Sequence, residues 1–118
     1  MIKEAYCSFE VSKLLKEKGF DEPCCGRYSI RSKEFHLDCT KMCNNGGLFE
    51  CAAPTHQMAM AYLREKYGFH IYTFYENEFH WHYVIDSLTK KWRYSVSENK
   101  SNDEAVEAAL KFCIKNLI

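Results

Sequence analysis

Residues 69–85 constrain the fold of this chain more than any other part of its sequence. Two runs dense in aromatic rings and histidines, residues 69–75 and 79–85, flank the polar residues 76–78. This arrangement is typical of a β-hairpin. A strand that is covered on one face alternates apolar with polar residues. Because both faces of this hairpin are apolar, we expect both to be covered, or one of them to bind a partner.

The loop between the two runs decides which side chains share a face. If residues 76–78 form a three-residue loop, Tyr72 faces His82 and His70 lies diagonally beside His82. Three imidazoles then converge, because His80 and His82 are two residues apart on one strand. If a two-residue turn replaces that loop, His70 lies on the face opposite to the other two histidines.

With the three-residue loop, Tyr75 faces Phe79 and the hairpin has two distinct faces. The face predicted to pack under helices carries Phe69, Ile71, Trp81, Tyr83 and Ile85. The face predicted to hold a ligand or an interface carries His70, Tyr72, Phe74, His80 and His82. We expect no carboxylate from the strands on that second face. No metal site and no cofactor is therefore predicted, and a metal site at His70, His80 and His82 is the alternative.

Three helices are predicted from their end signals and apolar spacing. Ser8 is a typical N-cap of the first helix, and Gly19 is a typical residue at its end. Pro54 suits the start of a second helix, which closes at Gly68. Ser101, with a glutamate three residues later, has the spacing of a capping box before a last helix. The apolar residues of that helix recur at steps of three and four, which predicts one buried stripe.

The remaining strands are predicted from short alternating runs. Residues 27–30 and 34–37 form a short N-terminal hairpin, residues 48–52 lead in extended form to the second helix, and residues 91–97 add a third strand to the aromatic hairpin. The sequence thus predicts an α+β fold as a single domain over residues 1–118. Its antiparallel sheet consists of a three-stranded aromatic meander plus the short hairpin, with helices packed on one face.

Charge argues against nucleic acid as a partner. The chain has 16 basic and 16 acidic residues and a formal net charge of zero. A protein that neutralises many phosphates needs a basic excess. The order of the C-terminal elements matches that of a double-stranded-RNA-binding domain, but the last helix begins with Asn102, Asp103 and Glu104, and acidic residues there repel phosphate. Nucleic-acid binding is therefore not predicted.

The termini and cysteines indicate a compartment. The chain starts without the apolar run of a signal peptide and contains no apolar stretch long enough to span a membrane. We therefore predict a cytoplasmic protein without a membrane partner. Five of its seven cysteines lie close together in the sequence: Cys24, Cys25, Cys39, Cys43 and Cys51. Reduced thiols are expected because no secretion signal is present. The spacing of these cysteines is poor for zinc, so structural thiols are expected rather than a zinc site.

Several segments in fixed order resemble one family. They are Gly-Phe-Asp-Glu-Pro-Cys at 19–24, Ala-Pro-Thr at 53–55, Tyr-Leu-Arg-Glu-Lys-Tyr at 62–67 and Asp-Glu-Ala at 103–105. With these segments, most of the chain is similar to short uncharacterised proteins encoded by phages, prophages and mobile elements of gut bacteria. The resemblance implies an origin in such an element, within a bacterial host, and implies no catalytic residues. Residues 39–47 depart from the shorter connection of that family.

The sequence predicts a binding protein rather than an enzyme. We expect a phage or mobile-element accessory protein that uses the His70, Tyr72, Phe74, His80 and His82 face to bind a small ligand, a host protein or itself, with a homodimer or higher homo-oligomer favoured. Sequestration of a nucleotide signal in anti-defence is a more specific version. A small metal-dependent enzyme or zinc-stabilised module based on the three histidines is the alternative.

Overall fold

The computed structural model describes residues 3–78 and 80–118, which form two compact units. One unit extends up to Met58 and the other runs from Ala59 to Ile118. Each contains a three-stranded antiparallel sheet, and helices pack against sheets, so the α+β prediction is confirmed. Across the described residues, none of the helices combines the length and the apolar character needed to cross a bilayer. The single domain over residues 1–118 stays a prediction.

The first unit contains one helix and a small sheet. Helix α1 spans Phe9–Glu17, and strands β1 (Gly26–Ser29), β2 (Phe35–Leu37) and β3 (Glu50–Ala53) lie in the spatial order β2-β1-β3. The predicted N-terminal hairpin is confirmed as β1 and β2. The lead-in to the second helix is more than an extended segment, because it pairs with β1 as a third strand. This pairing satisfies backbone groups on the second side of β1.

Both ends of α1 follow from its sequence. The Ser8 hydroxyl accepts a hydrogen bond from the Val11 amide at 3.2 Å and so caps the first turn. Gly19 adopts a φ of 87°, which a glycine takes without steric cost. The chain then turns back, and the Phe20 amide donates to the Leu15 carbonyl at 2.9 Å. Phe20 and Leu15 are both fully buried, so the end of the helix closes over the core of this unit.

Asn45 holds the long loop before β3 in place. Its Nδ2 donates to the Phe20 carbonyl at 2.7 Å, and its Oδ1 accepts from the Ala52 amide at 2.8 Å. Its own backbone amide donates to Asp21 Oδ1 at 2.8 Å. One side chain therefore ties the loop to the end of α1 and to β3, and this loop is fixed at its middle despite its composition of turn-forming residues.

The second unit carries the aromatic hairpin. Helix α2 (His56–Tyr67) begins before this unit and continues into it, and β4 (Phe69–Asn77), β5 (His80–Ser87), β6 (Arg93–Asn99) and helix α3 (Asn102–Asn116) follow. The strands lie in the order β4-β5-β6 with antiparallel pairing, so the predicted meander is confirmed. Helix α3 contacts all three strands.

Helix α3 begins and packs as its sequence predicts. The Ser101 hydroxyl accepts from the Glu104 amide at 3.1 Å, which confirms the cap. The Phe112 ring stacks on the Tyr94 ring of β6 with centroids 4.3 Å apart and planes 3° apart. Of the predicted stripe, Val106, Ala109, Leu110 and Cys113 are buried and Leu117 is half-buried.

Replacing Asn45 by alanine tests its role as a fixing point. We expect Asn45→Ala to lower the free energy of unfolding by about 2 kcal/mol, because the Ala52 amide and the Phe20 carbonyl each lose a partner. Urea unfolding followed by circular dichroism measures this change. The matched control is Asn44→Ala, which removes an exposed acceptor of the Gly46 amide, for which we expect less than about 0.5 kcal/mol. Equal effects of the two substitutions on the free energy of unfolding would contradict the role of Asn45 in fixing the loop.

Candidate interaction surface

The pairing of β4 with β5 differs from the predicted register. Phe74 is opposite His82, Tyr75 is opposite Trp81, and Tyr72 is opposite Val84. The predicted pairing of Tyr72 with His82 is therefore wrong. The predicted partner of Tyr75, Phe79, lies outside the described residues. Each residue of β4 pairs with the β5 residue two positions later than expected. The reason is that β4 continues beyond Tyr75 to its end at Asn77.

The shift of two residues leaves the two faces of the hairpin unchanged. Side chains alternate with a period of two along a strand, so only an odd shift would exchange the faces. The face predicted to lie under helices is buried at Phe69, Ile71, Tyr83 and Ile85, with Trp81 half-buried. Tyr94 is opposite Ile85 and therefore lies on the same side of the sheet. Its ring stacks on Phe112 of α3, so helix α3 packs against this side.

The five residues predicted as a binding face occupy one face but do not form one cluster. His70 is opposite Asp86, and Tyr72 lies between it and Phe74, with the two rings of His70 and Tyr72 5.6 Å apart. Both are half-buried. Phe74, His80 and His82 lie at the far end of the hairpin, where Phe74 is 45% exposed. The accessible part of the predicted face is therefore its outer end.

A stacked pair of rings forms the centre of this outer end. The Phe74 and His82 rings have centroids 4.3 Å apart and planes 10° apart. His82 Nε2 lies 2.7 Å from Glu76 Oε2. A carboxylate can only accept, so His82 Nε2 carries the proton of this hydrogen bond. The carboxylate fixes the imidazole ring, which in turn fixes the phenyl ring against it.

Glu76 belongs to this candidate surface but was not predicted from the sequence. The expectation that no strand carboxylate lies on this face is wrong, because Glu76 belongs to β4 and bonds to His82. Pairing becomes irregular between Tyr75 and Asn77, which is the pattern of a β-bulge. The sequence did contain a signal for the position of Glu76. Glu76 follows Phe74 by two positions, so the two side chains share a face if the strand continues through Glu76.

The opposite side of the hairpin also ends in aromatic rings. Tyr75 and Trp81 form a tilted pair with centroids 5.3 Å apart, and Tyr75 is 59% exposed. His80 Nδ1 lies 2.8 Å from Asn77 Oδ1. The hairpin therefore ends in rings on both faces. We call this surface the hairpin end, and it consists of Phe74, Tyr75, Glu76, His80, Trp81 and His82.

The three histidines considered for a metal site are separated. His70 is four residues before Phe74, the residue opposite His82, a distance of about 13 Å along the strand. His80 and His82 are held by Asn77 and Glu76. Within the described part of the chain these three imidazoles do not form a group with metal-ligand geometry. The convergence of the three imidazoles, which was expected only with a three-residue loop, is therefore not found.

The cysteine-rich part of the first unit contains a disulfide. Cys25 and Cys39 are bonded to each other, with Cα atoms 4.3 Å apart, so the expectation of reduced thiols is wrong for this pair. Cys24 and Cys43 lie opposite each other and exchange two backbone hydrogen bonds of 2.8 Å. None of the cysteines from Cys24 to Cys51 belongs to a metal-ligand group within residues 3–78 and 80–118.

The buried free thiols are poorly reactive groups. Burial raises the pKa of Cys24 to about 12 and the pKa of Cys51 to about 11, and it raises the pKa of Cys113 to about 12. A thiol reacts as its thiolate, so these three cysteines are suited to packing rather than to nucleophilic attack. Burial also raises the pKa of Cys43, but Cys43 is only half-buried and is therefore more accessible than the other free thiols.

Comparison of the chain with models of protein families, with curated proteins and with solved structures finds no match in any of the three. The function of the hairpin end therefore has to be inferred from its geometry.

Thiol reactivity should follow burial. Of the five free cysteines only Cys43 is not buried, so at pH 8 without reductant we expect one thiol to react quickly with Ellman's reagent. A pKa of about 12 leaves roughly one thiolate in ten thousand at pH 8, so Cys113 should react slowly and faster as the pH rises.

Cys43→Ser should abolish the fast phase, while the matched variant Cys113→Ser should keep it. After denaturation we expect five reactive thiols without reductant, because Cys25 and Cys39 are bonded to each other. Two or more fast thiols in the native protein would contradict the burial of the other four free cysteines. Seven reactive thiols after denaturation without reductant would contradict the Cys25–Cys39 bond.

Proposed function

We propose that this protein is a non-enzymatic binding module whose hairpin end and adjoining β4 edge associate with a second copy of the chain. The observation that carries the proposal is the exposure of Phe74 and Tyr75, on opposite faces, at the end of an outer strand. Exposed rings in fixed positions provide contact area at small entropic cost. Such rings are enriched at protein interfaces.

The outer edge of β4 supports pairing with another strand. β4 is nine residues long, and within the described residues its only neighbour in the sheet is β5. From Phe69 to Tyr75 it contains neither proline nor lysine, the residues that commonly protect an edge. The other edge strand, β6, carries Arg93 and pairs irregularly with β5 between Trp81 and Tyr83. The irregularity of β4 is confined to its end, between Tyr75 and Asn77. β4 is therefore the better template for an added strand.

Symmetry and charge favour a second copy as the occupant. Two β4 edges can pair in antiparallel fashion about a two-fold axis, which joins two three-stranded sheets into a continuous one. The exposed rings of Phe74 and Tyr75 would then meet those of the partner copy. The formal net charge is zero, so two copies approach without long-range repulsion.

A non-catalytic role is supported by the chemistry of the hairpin end. His82 and Glu76 form a hydrogen-bonded pair, but their neighbours Phe74 and Trp81 carry no nucleophile. The buried thiols elsewhere have raised pKa values. A metal-dependent enzyme or zinc-stabilised module is less favoured, because His70 is distant from His80 and His82.

The biological setting is part of the proposal and is supported by sequence resemblance alone. We place the protein among accessory proteins of phages or mobile elements, in the cytoplasm of a bacterial host. Capture of a host protein, or of a nucleotide signal in anti-defence, would use the same exposed rings. Self-association is preferred over both because β4 provides a backbone edge in addition to the rings.

Phe74→Lys tests the dimer. At 100 µM we expect the wild-type chain to elute with light-scattering mass twice the 13.9 kDa of one chain. The variant should dissociate at least ten-fold more readily, because a lysine ammonium on this edge would be desolvated by pairing. Circular dichroism and a thermal melt establish that the variant folds.

The matched control is Phe49→Lys, which makes the same change at a phenylalanine that is 81% exposed in the first unit. We expect this control to stay dimeric. A monomeric wild-type protein at 200 µM, or equal dissociation by both variants, would overturn self-association through β4. A thermal-shift screen with nucleotides would then examine ligand capture at the same rings.

A further inference from the structure

The second unit contains a pocket at the end opposite to the hairpin end. It lies where β4 begins, β5 ends and α3 ends, and it has a volume of about 370 Å³. Pockets that bind small molecules commonly have volumes from about 300 to 1,000 Å³, with apolar walls and a few polar groups. The walls contain the rings of Tyr67, Phe69 and Trp92 together with the polar residues Ser87, Lys90 and Asn116.

Aromatic rings form the apolar part of the pocket. The centroids of Phe69 and Trp92 are 5.8 Å apart, with planes inclined by 42°. Phe69 is buried and Trp92 is half-buried, so the indole is the more accessible of the two. A flat apolar molecule can lie against these rings and gain both burial and ring contacts.

The loop that carries the polar groups is held by its own hydrogen bonds. The Ser87 amide donates to the Trp92 carbonyl at 2.9 Å, and the Lys90 amide donates to Ser87 Oγ at 3.0 Å. The Leu88 amide donates to the Gly68 carbonyl at 2.8 Å and ties the loop to the start of β4. The pocket is therefore formed before a ligand arrives, which lowers the entropic cost of binding.

The pocket lining contains one cationic side chain. Lys90 is exposed at its wall and has no ion pair within residues 3–78 and 80–118. None of the lining residues has an acidic side chain, and Ile118, the last residue of the sequence, is also part of the lining. The nearest acid of the neighbouring strand, Asp86, is bonded to Arg93 through contacts of 2.7 and 3.4 Å. The Lys90 ammonium is thus free to meet an anion that enters the pocket.

We propose that this pocket binds a small planar aromatic molecule that carries an anionic group. The ring of the ligand lies against Phe69 and Trp92, and its carboxylate or phosphate meets the Lys90 ammonium. Asn116 and Ser87 are further polar residues of the lining. None of the six residues of the hairpin end lines this pocket, although Phe69 belongs to the β4 strand whose edge is proposed to pair.

Titration with 2-naphthoate, followed by two-dimensional amide NMR, tests the proposal. The chain has two tryptophans, and their indole N–H signals report on different places: Trp92 on the pocket and Trp81 on the hairpin end. We expect a saturable shift of the Trp92 signal at submillimolar to low millimolar concentration while the Trp81 signal stays in place. The neutral isostere 2-naphthamide should bind at least ten-fold more weakly, and 2-naphthyl phosphate compares the two kinds of anion.

Lys90→Gln should weaken 2-naphthoate binding at least ten-fold without changing the affinity for 2-naphthamide. Lys100→Gln, which removes an exposed lysine outside the pocket lining, is the matched control and should leave both affinities unchanged. The proposal is overturned by the absence of a saturable Trp92 shift at 5 mM, by an equal shift of Trp81, or by equal affinities for the acid and the amide.

Discussion

The packing of α3 against one face of the β4-β5-β6 sheet determines what the rest of the second unit can do. Side chains alternate along each strand, so burying Ile71, Tyr83 and Ile85 under the helix commits the opposite set to the other face. The Tyr94 and Phe112 stack anchors α3 to the outer strand β6. Once this face is committed, Phe74 and His82 have to lie on the other one.

The surface at the hairpin end results from this constraint. Beyond Tyr75 the pairing becomes irregular at Glu76, and the carboxylate of Glu76 then reaches His82. The resulting hydrogen bond fixes the imidazole that stacks on Phe74. A surface of this kind combines exposed apolar area with few rotatable groups.

The same two strands carry a second feature at their other end. Phe69 and Ser87, which pair with each other, line the pocket that also contains Lys90 and Trp92. The strand pair therefore has exposed aromatic rings at one end and a pocket with Lys90 in its lining at the other. Backbone hydrogen bonds to Gly68 and Trp92 fix the pocket loop, so the shape of the pocket depends on the sheet.

Local signals were sufficient to predict the elements. The caps at Ser8 and Ser101, the helix end at Gly19, and the apolar stripe of α3 depend on neighbours within a few residues, and the sequence determined them. The two faces of the hairpin were also determined by sequence, because the pattern of alternation fixes the parity of each position. The two faces were therefore predicted correctly although the predicted register was wrong by two residues.

Long-range pairing was decided only by the tertiary structure. The partner of β3, the Cys25–Cys39 bond and the three contacts of Asn45 join residues that are far apart in the sequence, and no local pattern specifies them. The register that brings Glu76 to His82 and takes His70 away from it depends on where β4 ends. The sequence by itself thus determined which residues form the aromatic hairpin and which face each occupies. The tertiary structure decided which of those residues meet, because that depends on how the chain closes between them.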